Sequence, residues 1–159
     1  MSPSATTLAA VGIYDVVLWV HVTAVIVAFG ALFAYPVFLR VNAAAPIAQR
    51  ATFHELQIAF SKRITGPAIG VILLAGIYLA TDAELWDEVW VTVPFVLLIV
   101  IAGLGGTVLR KGEERLVATA AAGDEDAYGR ALAGVQRWMT VTLALLVVTI
   151  FFMTAKPFG

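Results

Sequence analysis

The chain contains no cysteine among its 159 residues. Disulfide bonds, thiolate metal sites and iron–sulfur clusters are therefore excluded, and so is covalent haem attachment through a Cys-x-x-Cys-His motif. Charged residues are also scarce, at 13% of positions against about 25% in a typical soluble domain. Hydrophobic residues reach 61% and the mean hydropathy is +0.93, so the composition predicts an integral membrane protein. The length favours a single domain comprising residues 1–159.

Several catalytic patterns are missing as well. The sequence has no Ser-His-Asp or metalloprotease spacing, and Gly103, Gly105 and Gly106 lie inside an apolar run rather than in a phosphate-binding loop. No carboxylate lies within an apolar run to form a proton relay, and the histidines and methionines are too few and scattered for copper transport. The sequence leaves open whether the protein is an enzyme, and we expect no nucleic-acid partner.

Four apolar runs are long enough to cross a bilayer, which takes roughly 17–25 apolar residues. None of them alternates with a period of two, which argues for helices rather than a β-barrel. We therefore expect an all-α, up-down four-helix transmembrane bundle with helical cytoplasmic extensions. The predicted spans are about Val16–Leu39, Ile64–Ala80, Val89–Leu109 and Trp138–Ala155.

A cleaved signal peptide is the alternative interpretation of the first run. Three alanines, at positions 43–45, offer small residues of the kind found at cleavage sites. However, no Lys or Arg precedes the run, and its length of about 24 residues exceeds that of a signal-peptide apolar region. The pattern therefore favours a transmembrane span.

The basic residues predict how the bundle is oriented. Nine of the ten lie in the link between the first two spans or in the link between the last two. The middle link contains four carboxylates and no basic residue: Asp82, Glu84, Asp87 and Glu88. By the positive-inside rule the two basic links are cytoplasmic. Both termini are then expected on the extracytoplasmic side of a bacterial inner (plasma) membrane.

Both basic links are predicted to be helical. The segment Ile47–Phe60 is an imperfect amphipathic pattern, typical of a helix that lies on the membrane surface or extends the second span inward. The Thr-Gly-Pro sequence at 65–67 predicts a break or kink after it. In the second link, GEERLVATAAA continues the third span, and Asp124 is suited to cap the helix that leads into the fourth span.

Helical projection separates two faces of the first span. A bulky face suited to lipid comprises Trp19, Val22, Ile26, Phe29 and Phe33. A face of small residues, suited to close helix packing, comprises His21, Ala24, Ala28, Ala31 and Tyr35. The fourth span has a stripe of hydroxyl and thioether side chains that we expect to point inward: Met139, Thr142, Leu146, Thr149, Met153 and Lys156.

His21 is the only ionisable residue well inside a predicted span, and such a residue predicts a functional site. It can be a haem ligand, another metal ligand, a proton-transfer group, or a neutral histidine hydrogen-bonded to a neighbouring helix. One inward histidine suffices for haem, and a methionine can complete the coordination. Met153, at a similar predicted depth, is the preferred sixth ligand, with Lys156 or an open position as the alternative. His54 lies beside Glu55 in the first basic link, and we expect a solvated pair on a surface helix there.

The chain resembles a family of small four-helix bacterial integral membrane proteins of unknown function. The resemblance rests on a histidine near the start of the first helix, on FSKRITGPAIGVILLAGIYLA as the second helix, and on the Met-x-x-Lys-Pro ending MTAKP. That family is distantly similar to CopD-like and HemJ-type membrane proteins. The HemJ resemblance implies haem b ligated by the first-helix histidine, which corresponds to His21, and it gives a lysine a functional role, which here would be Lys156.

We therefore expect a haem-b-binding redox or electron-transfer bundle with His21 as axial ligand. The alternative is a cofactor-free membrane protein that stabilises a larger complex or assists the transport of a small solute. The lipid bilayer is the expected surrounding, and either a homo-oligomer or a larger membrane complex remains open.

Overall fold

The structure is a computed structural model that describes residues 11–158. Four long helices make up most of these residues, and no strand occurs among them. The helices are α1 (Ile13–Ala43), α2 (Ile47–Asp82), α3 (Val89–Ala121) and α4 (Glu125–Ala155). The predicted all-α class with four helices is confirmed, and each helix is long and apolar enough to cross a membrane.

The bundle has two chemically different ends. The acidic end contains the link between α2 and α3, with its carboxylates, and the basic end contains the other two links. At the basic end, the segment Ile47–Phe60 belongs to α2 and packs along the segment Arg110–Ala121 of α3. Of the two placements expected for residues 47–60, extension of the second helix is therefore the observed one.

The turn between α3 and α4 follows the predicted capping chemistry. Gly123 has a φ of +71°, a left-handed conformation that favours glycine. Asp124 follows it, and its side chain accepts a hydrogen bond from the backbone N–H of Ala127 at 2.8 Å. The predicted helix cap is confirmed, and it starts α4 on the return path through the bundle.

The helix does not break at residues 65–67. A π-helical turn at Ser61–Thr65 keeps α2 continuous, and the N–H of Gly66 bonds to the carbonyl of Ser61 five residues earlier. Pro67 has no N–H to donate and would crowd the carbonyl of an ordinary α-helical turn. The wider π-helical turn accommodates Pro67, and α2 therefore stays helical through residues 65–67. A second π-helical turn lies in α3 at Leu104–Leu109.

The four helices pack as two pairs toward the acidic end. There α1 lies mainly against the segment Gly66–Asp82 of α2, and the segment Val89–Gly103 of α3 lies mainly against α4. Ala24 and Ala28 are buried between them, as their small size predicted, but the expected faces of α1 need two corrections. Phe29, expected to face lipid, is only 5% exposed within the central core, and Ala31, expected to pack, is exposed. The buried stripe is rotated toward Phe29 because α1 contacts α2 more extensively than α4.

Candidate functional site

A cavity of about 440 Å³ opens between the two helix pairs at the acidic end. All four helices line it, mostly with aliphatic and aromatic side chains. Ligand sites in proteins are typically roughly 300–1,000 Å³ and mainly apolar, with a few polar groups that fix orientation. We call this space the acidic-end cavity, and its size and lining suit a hydrophobic ligand.

His21 lies on the wall of the acidic-end cavity. Its Nδ1 atom is 3.1 Å from the backbone carbonyl oxygen of Ile72 on α2. Gly76, one turn further along α2, leaves room for the ring, since a Cβ atom there would lie 3.3 Å from His21 Cε1. The absence of a side chain at Gly76 and the carbonyl of Ile72 together fix the position of the imidazole.

The hydrogen bond to Ile72 determines which ring nitrogen of His21 is available. A carbonyl oxygen only accepts, so Nδ1 carries the proton and Nε2 of the neutral ring has a lone pair. Nε2 has no hydrogen-bond partner among residues 11–158. Every buried side-chain nitrogen or oxygen in that range has a partner, so Nε2 is not one of the buried atoms. Nε2 is therefore accessible, and it can bind a metal centre or accept a proton.

Met153 and Lys156 line the same cavity as His21. The Nζ atom of Lys156 lies 4.6 Å from the centre of the Trp90 ring, within the distance of a cation–π contact. All three residues that the sequence singled out therefore line one cavity, Met153 and Lys156 as exposed residues, and their binding of a cofactor stays a prediction. Within the described residues, no group of three or more His, Cys, Asp or Glu side chains could hold a metal ion.

A second polar site, which the sequence did not predict, lies at the basic end. His54 is completely buried and Glu113 is 5% exposed, with His54 Nδ1 only 2.6 Å from Glu113 Oε2. The expectation that His54 lies on a solvated surface was wrong. The extension of α2 packs along α3, so the histidine falls inside the contact between them, while its neighbour Glu55 is exposed.

The site extends into a polar cluster that joins all four helices, with the members Tyr35, Asn42, His54, Glu113 and Tyr128. Tyr35 of α1 donates its hydroxyl hydrogen bond to Glu113 Oε1, and His54 Nε2 lies 3.0 Å from the hydroxyl of Tyr128 on α4. The amide nitrogen of Asn42 lies 3.2 Å from the same Nε2 atom. Burial is the main influence on Tyr128 and raises its pKa, so its hydroxyl keeps a proton to donate. A carboxylate only accepts, so His54 Nδ1 donates to Glu113, while Nε2 lies within hydrogen-bond distance of both the Asn42 amide and the Tyr128 hydroxyl.

Arg50 lies at the edge of the polar cluster, beside the link between α1 and α2. Its guanidinium donates to the carbonyl of Ala45 at 2.7 Å and pairs with Glu125 at 2.7 Å. It also lies 5.0 Å above the ring of Tyr128. Since every buried polar side-chain atom among the described residues has a partner, the chemical role that this geometry supports is to fix the four helices relative to one another.

A small pocket of about 80 Å³ adjoins the polar cluster. Glu113 lines it together with residues of both π-helical turns, and π-helical turns occur frequently at functional sites. Phe29 borders both this pocket and the acidic-end cavity, within the apolar core that separates them. The two sites are therefore distinct spaces, one at each end of the bundle.

No sequence pattern could have located the polar cluster. His54 and Glu113 are 59 residues apart, and each stands in a segment that is otherwise amphipathic and charged. No protein-family model, curated protein or solved structure matches the chain. The geometry of the acidic-end cavity and of the polar cluster is therefore the basis for assigning a function.

Proposed function

We propose that the protein is an integral membrane protein whose four helices span a bacterial inner membrane. Large apolar side chains on the outside of the bundle support this: Trp19, Ile26, Leu74 and Val96 are all more than half exposed. Water is a poor solvent for so many exposed apolar groups, whereas lipid is a good one. The basic end is assigned to the cytoplasm by the positive-inside rule, which leaves the acidic-end cavity in the extracytoplasmic half.

Within this membrane bundle, the acidic-end cavity is proposed to bind haem b with His21 as an axial ligand. The observation that carries the proposal is the hydrogen bond from His21 Nδ1 to the carbonyl of Ile72, with Nε2 left accessible beside an apolar cavity. A metal-binding histidine almost always donates its other ring N–H in this way, which fixes the tautomer and orients the ring.

The residues present fit a haem better than an isolated metal ion. An ion without a macrocycle needs several protein ligands, whereas a porphyrin supplies four and requires one or two axial groups. When bound, the haem would supply one-electron redox chemistry. His21 would hold its iron, and the apolar lining would exclude water from its faces.

Met153 and Lys156 take different proposed roles in the same cavity. The thioether of Met153 is the preferred sixth ligand, because it is uncharged and needs no deprotonation. Lys156 is the alternative ligand, although its position over the Trp90 ring suits the charged amine. A charged Lys156 at the rim of the cavity would instead pair with a propionate group.

The test is the visible spectrum of protein expressed with added haem precursor and purified in mild detergent. The proposal predicts a Soret band that is lost in His21→Ala and kept in His54→Gln, since His54 lies in the other site. Purified protein without a Soret band, or a band unchanged in His21→Ala, would leave the cofactor-free alternative. That alternative assigns the bundle to the stabilisation of a larger complex or to small-solute transport.

A further inference from the structure

A third opening, of about 310 Å³, lies between α3 and α4 at the basic end. Three cationic side chains line it: Lys111 and Arg115 from α3, and Arg130 from α4. Residues four apart share one face of a helix, so Lys111 and Arg115 lie on the same side of α3. We call this opening the basic pocket and its three charged residues the cation trio.

No member of the cation trio forms a salt bridge within the described residues. Two other basic residues at this end are paired, Arg110 with Glu114 at 3.0 Å and Arg50 with Glu125 at 2.7 Å. Like charges that share an opening repel one another, so an anion in the basic pocket would relieve that repulsion.

The floor of the basic pocket is apolar and its space is kept open by glycine. Val108, Val135 and Trp138 line it beside Gly134. A Cβ atom at Gly134 would meet no other atom within 4 Å, so helix packing does not require glycine there. Gly134 therefore leaves open space beside the cations that a larger side chain would fill.

We infer that the basic pocket binds the phosphate headgroup of an anionic phospholipid. Arginine matches phosphate by paired hydrogen bonds, and basic pockets between membrane helices bind anionic headgroups at the cytoplasmic face. Trp138 begins the fourth predicted span, so the basic pocket lies where headgroups meet the hydrocarbon. The apolar floor then accepts the glycerol and first methylene groups, which a free phosphate ion lacks.

This inference rests on the proposed membrane location and is independent of haem. It is tested by thermal unfolding of the purified protein in an uncharged detergent, with added phosphatidylglycerol, phosphatidylcholine or inorganic phosphate. Phosphatidylglycerol should raise the Tm in a saturable way, because a ligand that binds only the folded state stabilises it. The other two additives should leave the Tm unchanged.

Two variants separate charge from shape, and a third is the control. Replacing Arg115 and Arg130 together by glutamine should weaken phosphatidylglycerol binding by about fivefold for each cation removed. Gly134→Phe keeps all three charges but fills the space, and it should abolish the saturable rise in Tm. Arg63→Gln removes an exposed cation at the same end that does not line the basic pocket, and it should behave as wild type.

Unchanged phosphatidylglycerol binding in both pocket variants would overturn the inference, as would an equal rise in Tm with phosphatidylcholine. Equal protection by inorganic phosphate would overturn the assignment to a lipid. Failure of the proposed membrane location would appear separately, as recovery of the protein outside the membrane fraction of the cells.

Discussion

Glu113 accepts hydrogen bonds from two different helices, one from Tyr35 on α1 and one from His54 Nδ1 at 2.6 Å on α2. A buried carboxylate is costly unless such donors compensate for its lost hydration. The polar cluster therefore makes the correct packing of the basic end depend on a few specific contacts. These contacts also hold α2 and α3 against each other beyond the predicted spans.

Glu113→Gln should destabilise the protein by about 1.5–3 kcal/mol, because it replaces an acceptor of two hydrogen bonds by a group that accepts only on one side. The adjacent Glu114 provides the control, since its ion pair with Arg110 is about half exposed. Glu114→Gln should cost less than about 1 kcal/mol. The two variants are compared by thermal unfolding in detergent, and equal effects would show that the polar cluster contributes no special stability.

Gly112→Ala should destabilise the contact between α3 and α4. A Cβ atom at Gly112 would lie 2.5 Å from Val135 Cγ2, and overpacking of this kind costs about 1–3 kcal/mol. Gly134→Ala is the matched control, because its Cβ atom has open space, and it should be neutral or stabilising. Unfolding measurements should also find that Val135→Ala rescues Gly112→Ala. Without rescue, the assigned contact is not the cause.

Gly76→Ala should weaken haem binding. Its new methyl group would lie 3.3 Å from His21 Cε1, so the ring must shift by a few tenths of an ångström, and we expect its hydrogen bond to Ile72 to weaken. Complete loss of such an orienting hydrogen bond lowers metal affinity by about tenfold or more, which sets the upper range of the expected effect. Gly70→Ala, on the same helix with no atom within 4 Å of the new Cβ, should bind as wild type. Haem titration followed at the Soret band checks both, and equal affinities would contradict the proposed role of Gly76.

The orientation of the bundle in the membrane can be tested by cysteine labelling. The chain has no cysteine, so a single introduced cysteine is its only thiol. Ala83→Cys places a thiol at the acidic end and Ala122→Cys places one at the basic end, both at exposed positions. A membrane-impermeant maleimide added to intact spheroplasts should label only Ala83→Cys, since the acidic end is predicted to lie outside. Labelling of Ala122→Cys alone would reverse the proposed topology.

The sequence alone predicted the four helices, and it singled out three residues that line the acidic-end cavity: His21, Met153 and Lys156. Long apolar runs predict helices from composition alone, and His21 stood out because an ionisable residue is rare among apolar neighbours. The projection of the fourth span also predicted the burial of Met139 and Thr142, which are 4% and 2% exposed, whereas Met153 and Lys156 of the same stripe are exposed. These features are local, so single-helix periodicity reveals them.

The polar cluster could not be derived in the same way. Whether His54 is solvated or buried depends on how the extension of α2 meets α3, and helical periodicity does not specify which helix is the neighbour. Phe29 illustrates the same limit, because a bulky residue suits either lipid or a core between helices. Its burial follows from the uneven packing of α1 against α2 and α4.

The most direct test of the proposed haem site is chemical rescue of His21→Ala. Removing the ring from the cavity wall beside Gly76 leaves a space that free imidazole can occupy. The account predicts that His21→Ala protein binds no haem with a Soret band, and that added imidazole restores the wild-type band. A His21→Ala variant that binds haem as wild type without imidazole would contradict the assignment of His21 as the axial ligand.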